Sequence, residues 1–279
     1  RPFLVLADAL TRRGIAVLRY DDRDFGRQDE VFMATSADLA EDALAAVTFL
    51  RSRPEIAPGK IGLAGHSEGG LIAPMLASRE KGIAFIVLLA GPGLRGDRIL
   101  KLQSLAALKH SGLDAAAVEK EGATLEKIYQ IIQSEPENDT ANSKLEAMLR
   151  ENLASVDDEQ REQALAMFQG RVQMLLTPWF RYFISYDPRP ALTKVSCPVL
   201  AVIGEKDFQV PPRENLPAIE SALKEGGNRD FLVKELPGLN HLLQPCETGM
   251  IDEYSAIETT ISPDALKLIG DWLAARTAK

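Results

Sequence analysis

Two cysteines and three histidines are all that this chain of 279 residues carries. Cys197 and Cys246 are too few for a disulfide framework, and neither has the spacing or the neighbouring histidine of a metal site. No stretch approaches the roughly twenty apolar residues of a membrane span. No cluster of Lys and Arg interrupts a chain whose formal net charge is -8. Nucleic acid and an anionic membrane surface are therefore poor partners, because both require a basic patch. A leader would lie upstream of Arg1, so the compartment stays open between cytoplasm and periplasm or secretion.

What is present is enough apolar material for one large core, 46% of the residues. Strand-like and helix-like patterns alternate, as in a single α/β domain. Periodicity predicts helix 3–13, strand 15–20, helix 36–53, strand 59–65, helix 69–80 and strand 83–90. From about 95 to 188 the texture changes to long charged helical segments, including Ala116–Gln133, Asn142–Leu153 and Asp157–Gln169. The β rhythm resumes at Val199-Leu-Ala-Val-Ile203 and again at Phe231–Leu236. Residues 1–94 and 189–279 thus form the core, and 95–188 a helical insertion. An insertion at the C-terminal edge of such a sheet, where ligands bind, is expected to act as a cap.

Gly65-His66-Ser67-Glu68-Gly69 falls where a strand ends and a helix begins. A G-x-S-x-G in that setting is the nucleophile elbow, which lifts the serine hydroxyl above the sheet edge. The turn leaves no space for side chains two positions either side, and Gly65 and Gly69 are expected to supply that room. The amide of Glu68 is the expected oxyanion donor.

The elbow needs a carboxylate and then a histidine later in the chain. Among the histidines, His66 is aimed away from the serine and is expected to pack beside the turn. His110 closes a helical segment, where a cation suits the helix C-terminus. His241 follows the strand-like Phe231–Leu236 on a loop, a position suited to catalysis. It is the candidate base. Its acid is sought after the strand at 199–203, where Glu205 and Asp207 both stand. Asp207 is favoured, because Gly204 begins the turn and Asp207 stands just before Phe208-Gln-Val-Pro-Pro212.

With these residues in place, the chain resembles an α/β-hydrolase of the bacterial esterase branch, serine aminopeptidase-like or dienelactone-hydrolase-like. The likeness rests on Gly14–Arg23, Gly65–Gly70, Cys197–Asp207 with Gln209-Val-Pro211, and Pro237–His241, and covers nearly the whole chain. It implies a mostly parallel central sheet flanked by helices, with Ser67 as nucleophile, Asp207 as acid and His241 as base. Relatives usually read Asp-x-Arg-Gly-x-Gly-x-Ser after the strand at 15–20. Here Asp24 and Gln28 replace the usual Gly and Ser, so substrate preference near that loop does not transfer. The resemblance also implies strands, and a loop with the second oxyanion donor, before the first helix. The natural polypeptide is therefore expected to extend upstream of Arg1. An intact mass of these residues alone, in a folded and active protein, would contradict that expectation.

The expected chemistry is acyl transfer to water from a small-molecule ester, needing neither metal nor organic cofactor. A crowd of apolar residues in the insertion, with Met174, Trp179 and Phe180 among them, glues it to the body and offers a candidate acyl pocket. The alternatives are a serine aminopeptidase, an acyl-thioesterase and a non-catalytic binding module. An aminopeptidase would need a carboxylate for the substrate ammonium, for which Glu68, Asp22 and Asp24 are candidates. No basic patch suggests coenzyme A, and oligomeric state cannot be read from the sequence.

Overall fold

The computed structural model describes residues 2–21, 23 and 33–277. Four parallel strands, β1 (Leu63–His66), β2 (Ile86–Leu89), β3 (Val199–Gly204) and β4 (Phe231–Leu236), form one sheet in the order β1-β2-β3-β4. Parallel neighbours need crossovers, and helices supply them. Before the sheet come α1 (Pro2–Thr11) and α2 (Ser36–Arg51); α3 (Gly69–Ala77) links β1 to β2. Between β2 and β3 lie α4 (Gly96–His110), α5 (Ala115–Ser134), α6 (Asn138–Asn152), α7 (Asp158–Leu175), α8 (Pro178–Ser185) and α9 (Arg189–Leu192). The chain closes with α10 (Pro212–Glu225) and α11 (Pro263–Thr277).

The two central strands, β2 and β3, are apolar without interruption because helices cover both faces of the sheet there. Every residue of β2 and β3 is buried. Alternation sends Ile86, Leu88, Val199 and Ala201 into one layer, with Ala43 and Val47 of α2, Leu76 of α3 and Ile219 and Leu223 of α10. Val87, Leu89, Leu200 and Val202 face the other layer, filled by Leu6 and Leu10 of α1 and Ile269 and Leu273 of α11. The segment between β2 and β3 has its own core, including Tyr129, Ile132, Leu145, Val172, Phe180 and Ile184. A seam of Ala40, Leu71, Met75 and Phe183 joins it to the body.

The strand expected at 15–20 does not form. Its β-rich composition expresses a preference, but a strand exists only through ladder bonds to a neighbour. None of the described strands runs beside it, and Val17, Leu18 and Tyr20 are 38%, 37% and 51% exposed. The loop that departs from the family pattern, at Asp22 and Asp24–Gln28, lies outside the described residues.

Candidate active site

The elbow is built by backbone geometry. Ser67 joins β1 to α3 with φ +53°, a left-handed conformation that costs a non-glycine residue about 1–2 kcal/mol. The turn is held from three sides: Ser67 N–H donates to Leu89 O at 2.9 Å, Gly70 N–H to Ser67 O at 2.8 Å, and Leu71 N–H to Glu68 O at 2.8 Å. Gly65 is required, since a Cβ there would lie 1.9 Å from the Gly69 carbonyl oxygen. Gly69 is not, which corrects the expectation: a Cβ at Gly69 meets nothing within 4 Å, because this first residue of α3 faces open space. The second glycine with a steric reason is Gly70, whose added Cβ would sit 2.4 Å from Gly91 Cα. The amide of Glu68 stands at the start of α3, where backbone donors lack an intrahelical acceptor.

Asp207 and His241 meet across two loops. Asp207 follows β3, His241 follows β4, and His241 Nδ1 lies 2.8 Å from Asp207 Oδ2 with the residues 5% and 3% exposed. The other carboxylate oxygen accepts the amides of Gln209 and Val210, each at 2.9 Å. A buried carboxylate with these donors is fixed in orientation, and it fixes the imidazole in turn. Glu205 has a different job: its Oε2 accepts the Gly238 amide at 2.8 Å, bracing the turn before His241. Gly204 lets the two loops close, since a Cβ there would lie 2.2 Å from Leu239 O.

Asn240, fully buried, secures the histidine loop from inside. Its Oδ1 accepts the amides of Leu242 and Gln244, each at 3.0 Å, and its amide group donates to Gln244 Oε1 at 3.0 Å. Asn on a loop can make such local bonds to its own turn, a signal available from sequence. On the acid side, Gln209 Nε2 donates to the hydroxyl of Tyr254 at 3.0 Å, and burial pushes that phenol up to about 12.

His66 does more than pack beside the turn. Its Nε2–H donates to the backbone oxygen of His241 at 2.8 Å, and the two rings lie 4.7 Å apart between centroids. Burial, reinforced by the neighbouring His241, lowers the His66 pKa from 6.5 to about 4, so its ring is neutral at pH 7. No sequence signal links residues 175 positions apart.

The sequence makes the Glu68 side chain a candidate acceptor for a substrate ammonium. Instead its Oε1 takes a hydrogen bond from Ser36 Oγ at 2.6 Å and one from Trp179 Nε1 at 2.8 Å. Of the three candidate pocket residues, Trp179 alone is tied to the elbow in this way. Phe180, 5% exposed, belongs to the internal core of the α4–α8 segment, and Met174 is 43% exposed. His110 is the last residue of α4, with Nε2 4.0 Å from Asp252 Oδ2 on an exposed surface. Both thiols are partly buried, and burial raises the pKa of each, Cys197 to about 11.

A strained serine between strand and helix, with a buried carboxylate–imidazole pair contributed by the ends of β3 and β4, is an α/β-hydrolase arrangement. The sequence profile of the family described as "Serine aminopeptidase, S33" matches residues 3–247. The chain belongs to this family, within the α/β-hydrolases. Solved structures agree on the fold. An esterase of Pyrococcus furiosus superposes with TM-score 0.51 at 15% identity, covering 99% of this chain and 75% of its own. A proline iminopeptidase of Mycobacterium smegmatis gives TM-score 0.50 at 15% identity, covering 99% and 85%. The 2,6-dihydroxy-pseudo-oxynicotine hydrolase gives 0.52 at 16% identity, covering 99% of this chain and 56% of that one. A comparison of the sequence with curated proteins finds no match.

Among the described residues, two surface hollows of this family member are lined without Ser67, Asp207 or His241. One, of about 610 Å³, lies between α5 and α6 and is lined by Lys127, Ile131, Met148 and Glu151. The other, of about 240 Å³, is lined by Ala40, Met75, Arg79, Tyr182 and Tyr186 where α2 and α3 meet the end of α8. Among the described residues no helix is long and apolar enough to cross a membrane. Among them, too, no group of three or more His, Cys, Asp or Glu is arranged to hold a metal ion.

Proposed function

We propose that the protein is a serine carboxylesterase acting on small to medium acyl esters through Ser67, His241 and Asp207. The observation that carries this reading is the buried 2.8 Å bond between His241 Nδ1 and Asp207 Oδ2, beside an elbow whose serine is held at φ +53°. With Nδ1 donating to the carboxylate, Nε2 is free to accept a proton. In the first half-reaction His241 Nε2 takes the proton of Ser67 Oγ as Oγ bonds to the ester carbonyl carbon. The negative charge that develops on the carbonyl oxygen is met by the Glu68 amide. Collapse breaks the bond to the alkoxy group, which leaves with the proton from His241. Water then repeats the attack on the acyl-enzyme, releasing the acid and restoring Ser67.

Esters are favoured over peptides on a specific ground. The Glu68 carboxylate is engaged by Ser36 and Trp179, so the acidic residue next to Ser67 in the chain is already occupied, and Asp22 and Asp24 lie outside the described residues. The helices between β2 and β3 serve as the cap, with Trp179 lining the acyl side. Hydrolysis of p-nitrophenyl esters from acetate to laurate, beside an aminoacyl p-nitroanilide and the Ser67→Ala variant, tests the reading. Ester turnover that falls by about a million-fold in Ser67→Ala is expected. Cleavage of the anilide with no ester turnover would replace it with an aminopeptidase, and Ser67-independent turnover would remove it.

A further inference from the structure

Two separate helices, α2 and α8, converge on one oxygen of Glu68 in the elbow. Ser36, fully buried, is the first residue of α2 and is positioned by a capping box in which Thr35 and Asp38 bond each other. Trp179 is the second residue of α8, and its indole stacks on Phe183 at 5.4 Å with 19° between the planes. Glu68 itself cannot shift easily, because Ser67 before it and its own carbonyl are held in the elbow turn by the bonds from Ser67, Gly70 and Leu71. The body therefore supplies the fixed end of the tie. The segment between β2 and β3 supplies the other, through Trp179.

Beside this bond the junction carries an apolar seam: Phe183 against Ala40, Leu71 and Met75, with Trp179 and Tyr182 packed on it. Apolar contact is non-directional, so it holds two surfaces together without fixing how one sits along the other. A hydrogen bond to a carboxylate is directional and about twice as strong as a neutral one. The Trp179–Glu68 bond thus sets where α8 rests, and it places the indole one residue from the nucleophile.

We propose that Glu68 is a positioning residue, its carboxylate holding α8 so that Trp179 forms the wall of the acyl site and sets acyl-chain preference. The selectivity part rests on the esterase reading; the tie itself does not. Glu68→Gln provides the decisive contrast, since the amide oxygen can still accept from both Ser36 and Trp179, whereas Glu68→Ala cannot. Trp179→Phe removes the donor and keeps a ring.

Two readouts on the four single and double variants test it. Hydrogen–deuterium exchange of residues 178–185 is expected to quicken about tenfold or more in Glu68→Ala and Trp179→Phe, and to stay near wild type in Glu68→Gln. The double variant Glu68→Ala/Trp179→Phe is expected to go no further than either single one, the signature of a shared bond. The ratio of kcat/KM for p-nitrophenyl octanoate over acetate should shift about tenfold in the same variants and stay within about threefold of wild type in Glu68→Gln. Additive effects, unmoved exchange, or a Gln variant that behaves like Ala would overturn the tie. A wild-type protein without Ser67-dependent ester turnover would sink the esterase reading and the selectivity with it, while the exchange cycle would still decide the tie.

Discussion

Acidification should reach this fold through His66. Its imidazole is held neutral by burial and by the adjacent His241, down to about 4 from the ordinary 6.5. In the unfolded chain the same ring takes up a proton near its ordinary value. Between the two values the unfolded state binds more protons, so stability falls as pH falls; the contribution is intact above about 6.5 and is lost on descent to about 4. A depression of this size corresponds to roughly 3 kcal/mol, a large part of the 5–15 kcal/mol typical of a domain. Urea unfolding followed by circular dichroism, at several pH values from 7 to 4, measures it. His66→Gln is the control, because its amide can donate to the His241 carbonyl and does not titrate. Carboxylates titrating in the same range are common to both proteins and cancel in the difference. The wild type should lose about 3 kcal/mol more than the variant over this range. Curves that stay parallel within about 0.5 kcal/mol would refute the assignment of a buried neutral His66.

Asp207→Asn should keep the fold and lower kcat for ester hydrolysis by about ten-thousandfold, since the amide favours the wrong tautomer of His241; a loss under about tenfold would remove Asp207 from the mechanism. Gly65→Ala forces a Cβ to 1.9 Å from the Gly69 oxygen and should fail to accumulate as folded protein, whereas Gly69→Ala, facing open space, should change stability by no more than about 1 kcal/mol by urea titration. Asn240→Ala strands the buried amide of Gln244 and the half-buried amide of Leu242 and should cost about 2–4 kcal/mol, with kcat falling as the His241 loop loosens.

How much of this was readable in advance depended on the range of the signal. Uninterrupted runs such as Val199–Gly204 announce a strand covered on both faces, and the structure buries all six residues. The order of Ser67, Asp207 and His241 carried the fold class, because each residue sits at the end of a recognisable strand. The preference for Asp207 over Glu205 rested on position in the turn, and the structure brings Asp207 to His241 while Glu205 takes the Gly238 amide. Failures came where a neighbour decides. The segment 15–20 has strand composition without a described partner strand, and Gly69 looked required until the open space beside it was visible. The carboxylate of Glu68 and the ring of His66 find partners 111 and 175 residues away, which local pattern does not encode.

The central claim is that Ser67 is a nucleophile activated by His241. Incubation with a fluorophosphonate, followed by peptide mass spectrometry, tests it without assuming any natural substrate. The account predicts one phosphonyl group per chain, on the peptide carrying Ser67, formed at least about a hundredfold more slowly in His241→Ala. Labelling elsewhere, no labelling, or a rate indifferent to His241 would contradict it.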